Sequence, residues 1–292
     1  MQIGIDLGAS KIEYVLLEDN GKELFREREK SPTNYISTIN CAIHLRAKID
    51  LIDINIKDYN ICVENLKKKL LIAKKNKKLP KILIVTHIAG YPCDLKIIYK
   101  LSQKYNFKIV EDASHALGSK YFGKRIGNCK YSELSIFSFH PSKTITTAEG
   151  GAITTNNKKI YNNLKLFREN GHDFSKNKFQ NIDLNYYDVK KLGFNLRLNE
   201  ISCALGISQM KKINNFINHK KKLAKNYFFK LDKNKFIFPE YSDRKHSTSW
   251  HLFILRINLT KVKKTKNEII RYLKKNNIYV KTHYPPLSSF TL

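Results

Sequence analysis

Three stretches of this sequence put reactive side chains where apolar runs stop. The first is Lys108-Ile-Val-Glu111-Asp112, followed at Ala-Ser-His115 by an imidazole. A carboxylate at the end of an apolar strand can hold a cationic group, and it can equally cap the next turn. The second is Leu134-Ser-Ile-Phe-Ser138-Phe-His-Pro-Ser-Lys143, which leads through Thr144–Thr147 to Glu149-Gly150-Gly151. A lysine in a partly buried loop can lose its proton and become a Schiff-base nucleophile. It can equally be one surface lysine among many. The third is Gly193-Phe-Asn195-Leu-Arg197-Leu-Asn199-Glu200. Polar groups just before a helix start form a natural anion site, and Asn199 also suits an ordinary cap.

Such residues need a sheet to bring them together, because ligands of open parallel sheets lie beyond the carboxyl ends of the strands. The pattern supplies one. Strands are expected at 49–54, 81–87, 108–111, 134–139 and 152–155. Helices are expected at 63–75, 94–105 with Asp94 as N-cap, and 158–170. This alternation predicts an α/β fold, a mostly parallel sheet with helices on both faces. After residue 199 the texture changes to a long helix over 200–231, a strand at 250–258, a helix at 266–276 and a short strand at 279–284. That reads as a smaller α+β lobe. The first thirty residues read as three strands, with a hairpin signal at Asp19-Asn20-Gly21.

Composition narrows the class. The 292 residues are 42% hydrophobic and 27% charged, which excludes a disordered chain. No apolar run is long enough for a membrane helix, and Met1–Lys11 lacks a signal-peptide pattern, so a cytoplasmic protein without a membrane partner is expected. Five cysteines without a C-x-x-C pair fit neither a disulfide framework nor a metal site. The net charge of +29 raises a nucleic-acid-binding reading. The lysines argue against it. They are scattered as pairs and triplets on helical patterns, with no single basic arm and no interleaved aromatic platform.

Together the three segments are far more specific than any one. Glu111–Ser119, Ser138–Gly151, Leu166–Gly171 and Gly193–Ile201 closely resemble the DegT-type sugar-nucleotide aminotransferases, which are pyridoxal-phosphate enzymes of fold type I. The wording at Ser114–Ser119 and Ile145–Gly151 is most similar to the pseudaminic-acid branch. The resemblance implies transfer of an amino group from glutamate to C4 of a UDP-linked 4-keto-6-deoxy-N-acetyl hexose. It implies that Lys143 joins the cofactor and shuttles a proton, and that Asp112 pairs with the pyridine nitrogen. His115 would lie against the ring or its phenolic oxygen, and Tyr35 would stack on the ring. Ser138 would hold the phosphate. Asn195 would reach the phosphate of a neighbouring subunit, which requires a homodimer. His283 and Tyr284 would stand near the sugar. Lys143 occupies the place where dehydrating relatives carry a histidine, which favours transamination.

The same resemblance implies departures. The family's N-terminal helices and its Gly-(Ser/Thr)-(Ser/Thr) phosphate turn have no counterpart before residue 32, and its terminal helix none after His283-Tyr284. Ile3-Gly-Ile-Asp6-Leu-Gly8-Ala-Ser10-Lys11 is similar instead to the opening hairpin of ROK-type sugar kinases, of the ribonuclease-H/actin-like type. The expected organisation is a kinase-like hairpin over 1–30, an incomplete cofactor-binding domain over 31–198 and an incomplete small domain over 199–292. A catalytically dead fusion remnant and a basic nucleic-acid binder are the alternative readings.

Overall fold

The computed structural model describes residues 36–173, 188–241 and 245–282 in full, and the backbone of three strands before them. These are β1 (Gln2–Gly8), β2 (Lys11–Leu17) and β3 (Glu23–Lys30), an antiparallel sheet in that order. Gly8 faces Lys11, and Leu17 faces Glu23. The three strands expected near the start are therefore present.

Helix α1 (Ile36–His44) follows, unannounced by any periodicity. The strand expected at 49–54 does not form. Ile54 makes one bridge to Ile61, and the polar turn Asn55–Asn60 folds the chain back before a strand can find a partner. Beyond it run α2 (Val63–Lys75), β4 (Ile82–Thr86), α3 (Leu95–Tyr105) and β5 (Lys108–Asp112). Two short strands, β6 (Lys120–Tyr121) and β7 (Lys124–Arg125), precede β8 (Leu134–Ser138), β9 (Gly151–Thr154) and α4 (Lys158–Arg168). The main sheet has the order β4-β5-β8-β9. The first three strands are parallel and β9 is antiparallel.

Alternation along the strands splits their side chains between two faces. Leu83, Val85, Ile109 and Phe137 face a core built with Leu66 and Leu70 of α2 and Leu95, Ile98 and Tyr105 of α3. Burying each such side chain contributes about 1.5–3 kcal/mol. The opposite face differs from the expectation of helices on both sides. Among the described residues it leaves Ile82, Ile136 and Ile153 more than a third exposed. Asp94 holds the N-cap position of α3 but makes no cap bond, because its carboxylate accepts the Tyr121 hydroxyl instead.

The remainder is a strand pair β10 (His172–Asp173) and β11 (Asp188–Val189), the 31-residue helix α5 (Glu200–Lys230), β12 (Phe236–Ile237), β13 (His246–Ser247), β14 (Arg256–Ile257) and α6 (Lys266–Lys275). The expected strand at 250–258 shrinks to β14. Trp250 takes a left-handed φ of 51°, which no strand continues through. Residues 279–282 form no strand.

A polar turn beside the core carries a pH-dependent cost. Burial pushes the Asp58 carboxyl from 3.8 up to about 6. A raised carboxyl stabilises the fold fully only below its unfolded value, and that stability is lost as pH rises through the folded one. The difference is worth about 3 kcal/mol. Asp58→Asn keeps an acceptor for the Asn60 N–H, which lies 3.0 Å from Asp58 Oδ1. Thermal melts should show Asp58→Asn stabilising the chain at pH 8 and not at pH 4. Equal effects at both would contradict the assignment.

Candidate active site

The parallel register aligns Thr86 with Asp112 and Asp112 with Ile136, so these three share one face at the carboxyl edge of the sheet. Asp112 ends β5 half-buried. Its Oδ1 accepts the Ser114 N–H at 3.1 Å, and its Oδ2 accepts the Thr38 hydroxyl of α1 at 3.0 Å. The carboxylate does bind its own turn, as a cap would, but only with one oxygen. The other is held by Thr38, and on the neighbouring strand Thr86 Oγ1 is buried without a hydrogen-bond partner among the described residues.

Ser138 ends β8 opposite Gly151, and its hydroxyl accepts the His140 N–H at 3.4 Å. The loop that follows is closed on itself. Phe139 N donates to Gly150 O at 2.9 Å, Thr147 N to Phe139 O at 3.0 Å, and Lys143 N to His140 O at 2.9 Å. Ile145 and Thr147 are buried and anchor it. Lys143 is thereby held half-buried. Burial lowers its pKa, and the nearby negative charge of Asp112 opposes that in part. The lysine and the aspartate are electrostatic neighbours, although 31 positions apart in sequence. Helix α5 packs over the loop: a Cβ on Gly206 would stand 2.8 Å from the Thr147 methyl. Lys220 of α5 reaches Thr144 Oγ1 at 3.5 Å.

His115 follows in the turn after β5 and is 6% exposed. Asn195 lies elsewhere, exposed beside the start of α5, where its Oδ1 accepts Arg197 Nε at 3.1 Å. Arg197 also pairs with Glu169 at 3.6 Å. Asn199 caps α5 by accepting the Ser202 N–H at 2.8 Å, as its position before the helix suggested. Tyr35, His283 and Tyr284 lie outside the described residues. Asp112 and Lys143 are thus brought together, His115 and Ser138 lie on the same edge, and Asn195 bonds Arg197 and bridges to Glu169.

Two groups escaped the sequence reading. Thr38 sits on α1, in the segment where the resemblance singled out Tyr35 alone. His87 follows β4 as Asp112 ends β5, so the same signal, a polar residue closing an apolar run, could have found it. His87 Nδ1 accepts the Cys93 N–H at 3.0 Å, so Nε2 carries the proton and donates to Glu111 Oε2 at 2.9 Å. Burial pushes the Glu111 carboxyl up, but hydrogen bonds from His87, Ser132 and Ser135 outweigh it and hold the group below its ordinary value. Glu111 lies on the core face, back to back with the Asp112 side.

A model of the DegT/DnrJ/EryC1/StrS aminotransferase family matches residues 30–291. The chain belongs to this family. It is 35% identical over 262 residues to a UDP-4-amino-4,6-dideoxy-N-acetyl-beta-L-altrosamine transaminase of Campylobacter jejuni subsp. jejuni, covering 89% of this chain and 66% of that protein. It is 32% identical over 260 residues to an uncharacterized protein of Methanocaldococcus jannaschii, covering 88% and 65%. Among solved structures it is similar to Helicobacter pylori PseC, an aminotransferase involved in the biosynthesis of pseudoaminic acid. The TM-score there is 0.78 at 32% identity, over 89% of this chain and 66% of the other. The chain spans just under two thirds of the length of these relatives. The fold is accordingly the α/β fold type I of the family. The family match starts at residue 30 and lends no support to a kinase-like origin of the strands before it. Among the described residues no helix is long and apolar enough to cross a membrane, and no cluster of His, Cys, Asp and Glu could hold a metal ion.

Proposed function

We propose that this chain is a pyridoxal-phosphate-dependent aminotransferase. It moves an amino group from glutamate to C4 of a UDP-linked 4-keto-6-deoxy-N-acetyl hexose, in synthesis of a pseudaminic-acid-like sugar. The observation that carries the reading is the pairing of a half-buried lysine of lowered pKa with a carboxylate at the carboxyl edge of a parallel sheet. The sugar and nucleotide rest on the similarity to the Campylobacter and Helicobacter proteins.

The residues fit the cofactor. Asp112 keeps lone pairs beyond its two bonds, and the buried Thr86 hydroxyl beside it lacks a partner among the described residues. Both suit a ring with a protonated nitrogen. When bound, pyridoxal phosphate supplies an aldehyde for amines to condense with and a ring that delocalises the electrons left at the donor carbon. Asp112 holds the proton at the ring nitrogen. Lys143 Nζ, partly desolvated, spends more time as a neutral amine than an exposed lysine does. With the cofactor bound, it would serve as the base that moves the proton between the donor Cα and the cofactor. By the family resemblance His115 and Tyr35 would cover the ring, Ser138 would hold the phosphate, and His283 and Tyr284 would serve the sugar. On this reading residues 31–198 bind the cofactor and 199–292 form the smaller domain.

Asn195 serves a second copy of the chain. Around it Leu192, Phe194, Leu196 and Ile201 are 91%, 60%, 66% and 84% exposed. A run of apolar side chains this bare is costly in water and supports burial in a homodimer. The test is turnover. The chain with pyridoxal phosphate, glutamate and the UDP-4-keto sugar should release 2-oxoglutarate and 4-amino sugar in equal amounts, as read by mass spectrometry. Absence of amino sugar with UDP- and TDP-linked ketones alike would reject the reading.

A further inference from the structure

The C-terminal segment 248–251 meets the turn that carries His115, and nothing in the sequence marks it for chemistry. The rings of His115 and His251 are packed 4.4 Å apart between centroids and inclined by 33°. Two residues earlier, Ser249 is fully buried. Its Oγ donates to the His115 carbonyl at 2.9 Å, and its N–H donates to Ser119 Oγ at 2.9 Å. Ser119, also fully buried, passes its own hydrogen to the Gly90 carbonyl. Gly90 has a φ of +91°, and a Cβ there would meet the Ser249 hydroxyl and stand 2.8 Å from the His115 carbonyl. The segment's own anchor is Trp250, whose ring turns toward Tyr241, Phe228 and Phe253 at 5.3, 5.7 and 5.9 Å. The turns after β4 and β5 and the C-terminal segment thus lock into one junction. In the same turn Asp112 Oδ1 holds the Ser114 N–H.

We infer that His251 is a positioning residue of the active site. Its ring holds the His115 imidazole at the orientation in which it lies against the cofactor, while Ser249 fixes the His115 main chain. The inference rests on the reading of His115 as a cofactor-facing residue. It extends that reading to a residue of the smaller lobe, which then shares in building the site. The inclined ring packing points to a need for a flat partner of fixed aspect.

A double-mutant cycle tests this on the full chain, with pyridoxal-phosphate affinity read from visible absorbance and melting of the cofactor-free protein read in parallel. His115→Ala and His251→Ala should each weaken cofactor binding by about tenfold, and the double variant should be no more than about twofold weaker than His115→Ala alone. His251→Phe, which restores a flat ring, should bind within about threefold of the parent, and His251→Gln, which does not, should resemble His251→Ala. Gln also serves where Ala fails to fold. A merely structural role predicts otherwise: losses that multiply in the double variant and track the melting temperature. That result overturns the inference, as does His251→Ala binding like the parent, or Phe failing as Ala does. Lys143→Ala separates the two levels. If it abolishes borohydride trapping while His115→Ala binds normally, the cofactor reading stands and this inference falls. If trapping survives Lys143→Ala, both fall.

Discussion

Asp112→Ala should lower turnover by about 10²–10³-fold, the scale for removing one charge-stabilising group from a preorganised site. The residue ends β5 with one oxygen on the Ser114 N–H and the other on the Thr38 hydroxyl. Both bonds fix the carboxylate in place at the end of the strand. The variant should still fold, since Asp112 is only half-buried and both lost partners are single donors. It should also keep its covalent link to the cofactor, because Lys143 is untouched. A second sign accompanies the loss. The charge of Asp112 opposes the fall in the Lys143 pKa, so removing it lets burial pull that value lower still. Borohydride trapping should therefore persist to lower pH in Asp112→Ala than in the parent, even as turnover collapses. Turnover within threefold of the parent would contradict the role given to Asp112.

Glu111→Ala should cost about 3–5 kcal/mol of stability, the range for breaking a buried polar pair by removing one partner. The side chain is 2% exposed and His87 is fully buried. Truncation strands the His87 Nε2–H in the core, removes the acceptor of the half-buried Ser132 hydroxyl and opens a cavity beside them. Glu111→Gln keeps an acceptor for His87 and should lose far less. Because Glu111 is held below the ordinary 4.5, its contribution is fully present above that pH and fades as pH falls through the folded value. Denaturant unfolding at pH 7 measures the loss. Equal costs for Ala and Gln would show that the hydrogen bonds do not carry it.

The strand ends were legible because an apolar run that closes on a polar residue is costly without a purpose. Asp112 and Ser138 both stood out that way, and His87 shows the same mark. Lys143 did not stand out among so many lysines. Only its neighbouring wording singled it out, and burial of its loop is what separates it physically from the rest. The long helix was legible too, with Asn199 at its start. What could not be read was tertiary. Thr38 acts on Asp112 across 74 positions. Trp250 breaks the expected strand because its ring finds an aromatic cluster that periodicity does not encode. Ser249 and His251 matter only through a turn more than a hundred residues away. Asp94 looked like a cap and served Tyr121 instead, since a nearer hydroxyl competed for its carboxylate.

The most direct measurement is pyridoxal-phosphate binding followed by borohydride reduction and peptide mapping across a pH series, beside a Lys143→Ala control. The neutral amine is the form that attacks a carbonyl, and burial lowers the Lys143 pKa from 10.5. The reduced adduct should fall on Lys143 alone, vanish in the control, and be lost with a midpoint below 10.5 as the pH drops. An adduct spread over many lysines, with the midpoint of an ordinary amine and no response to Lys143→Ala, would contradict the account.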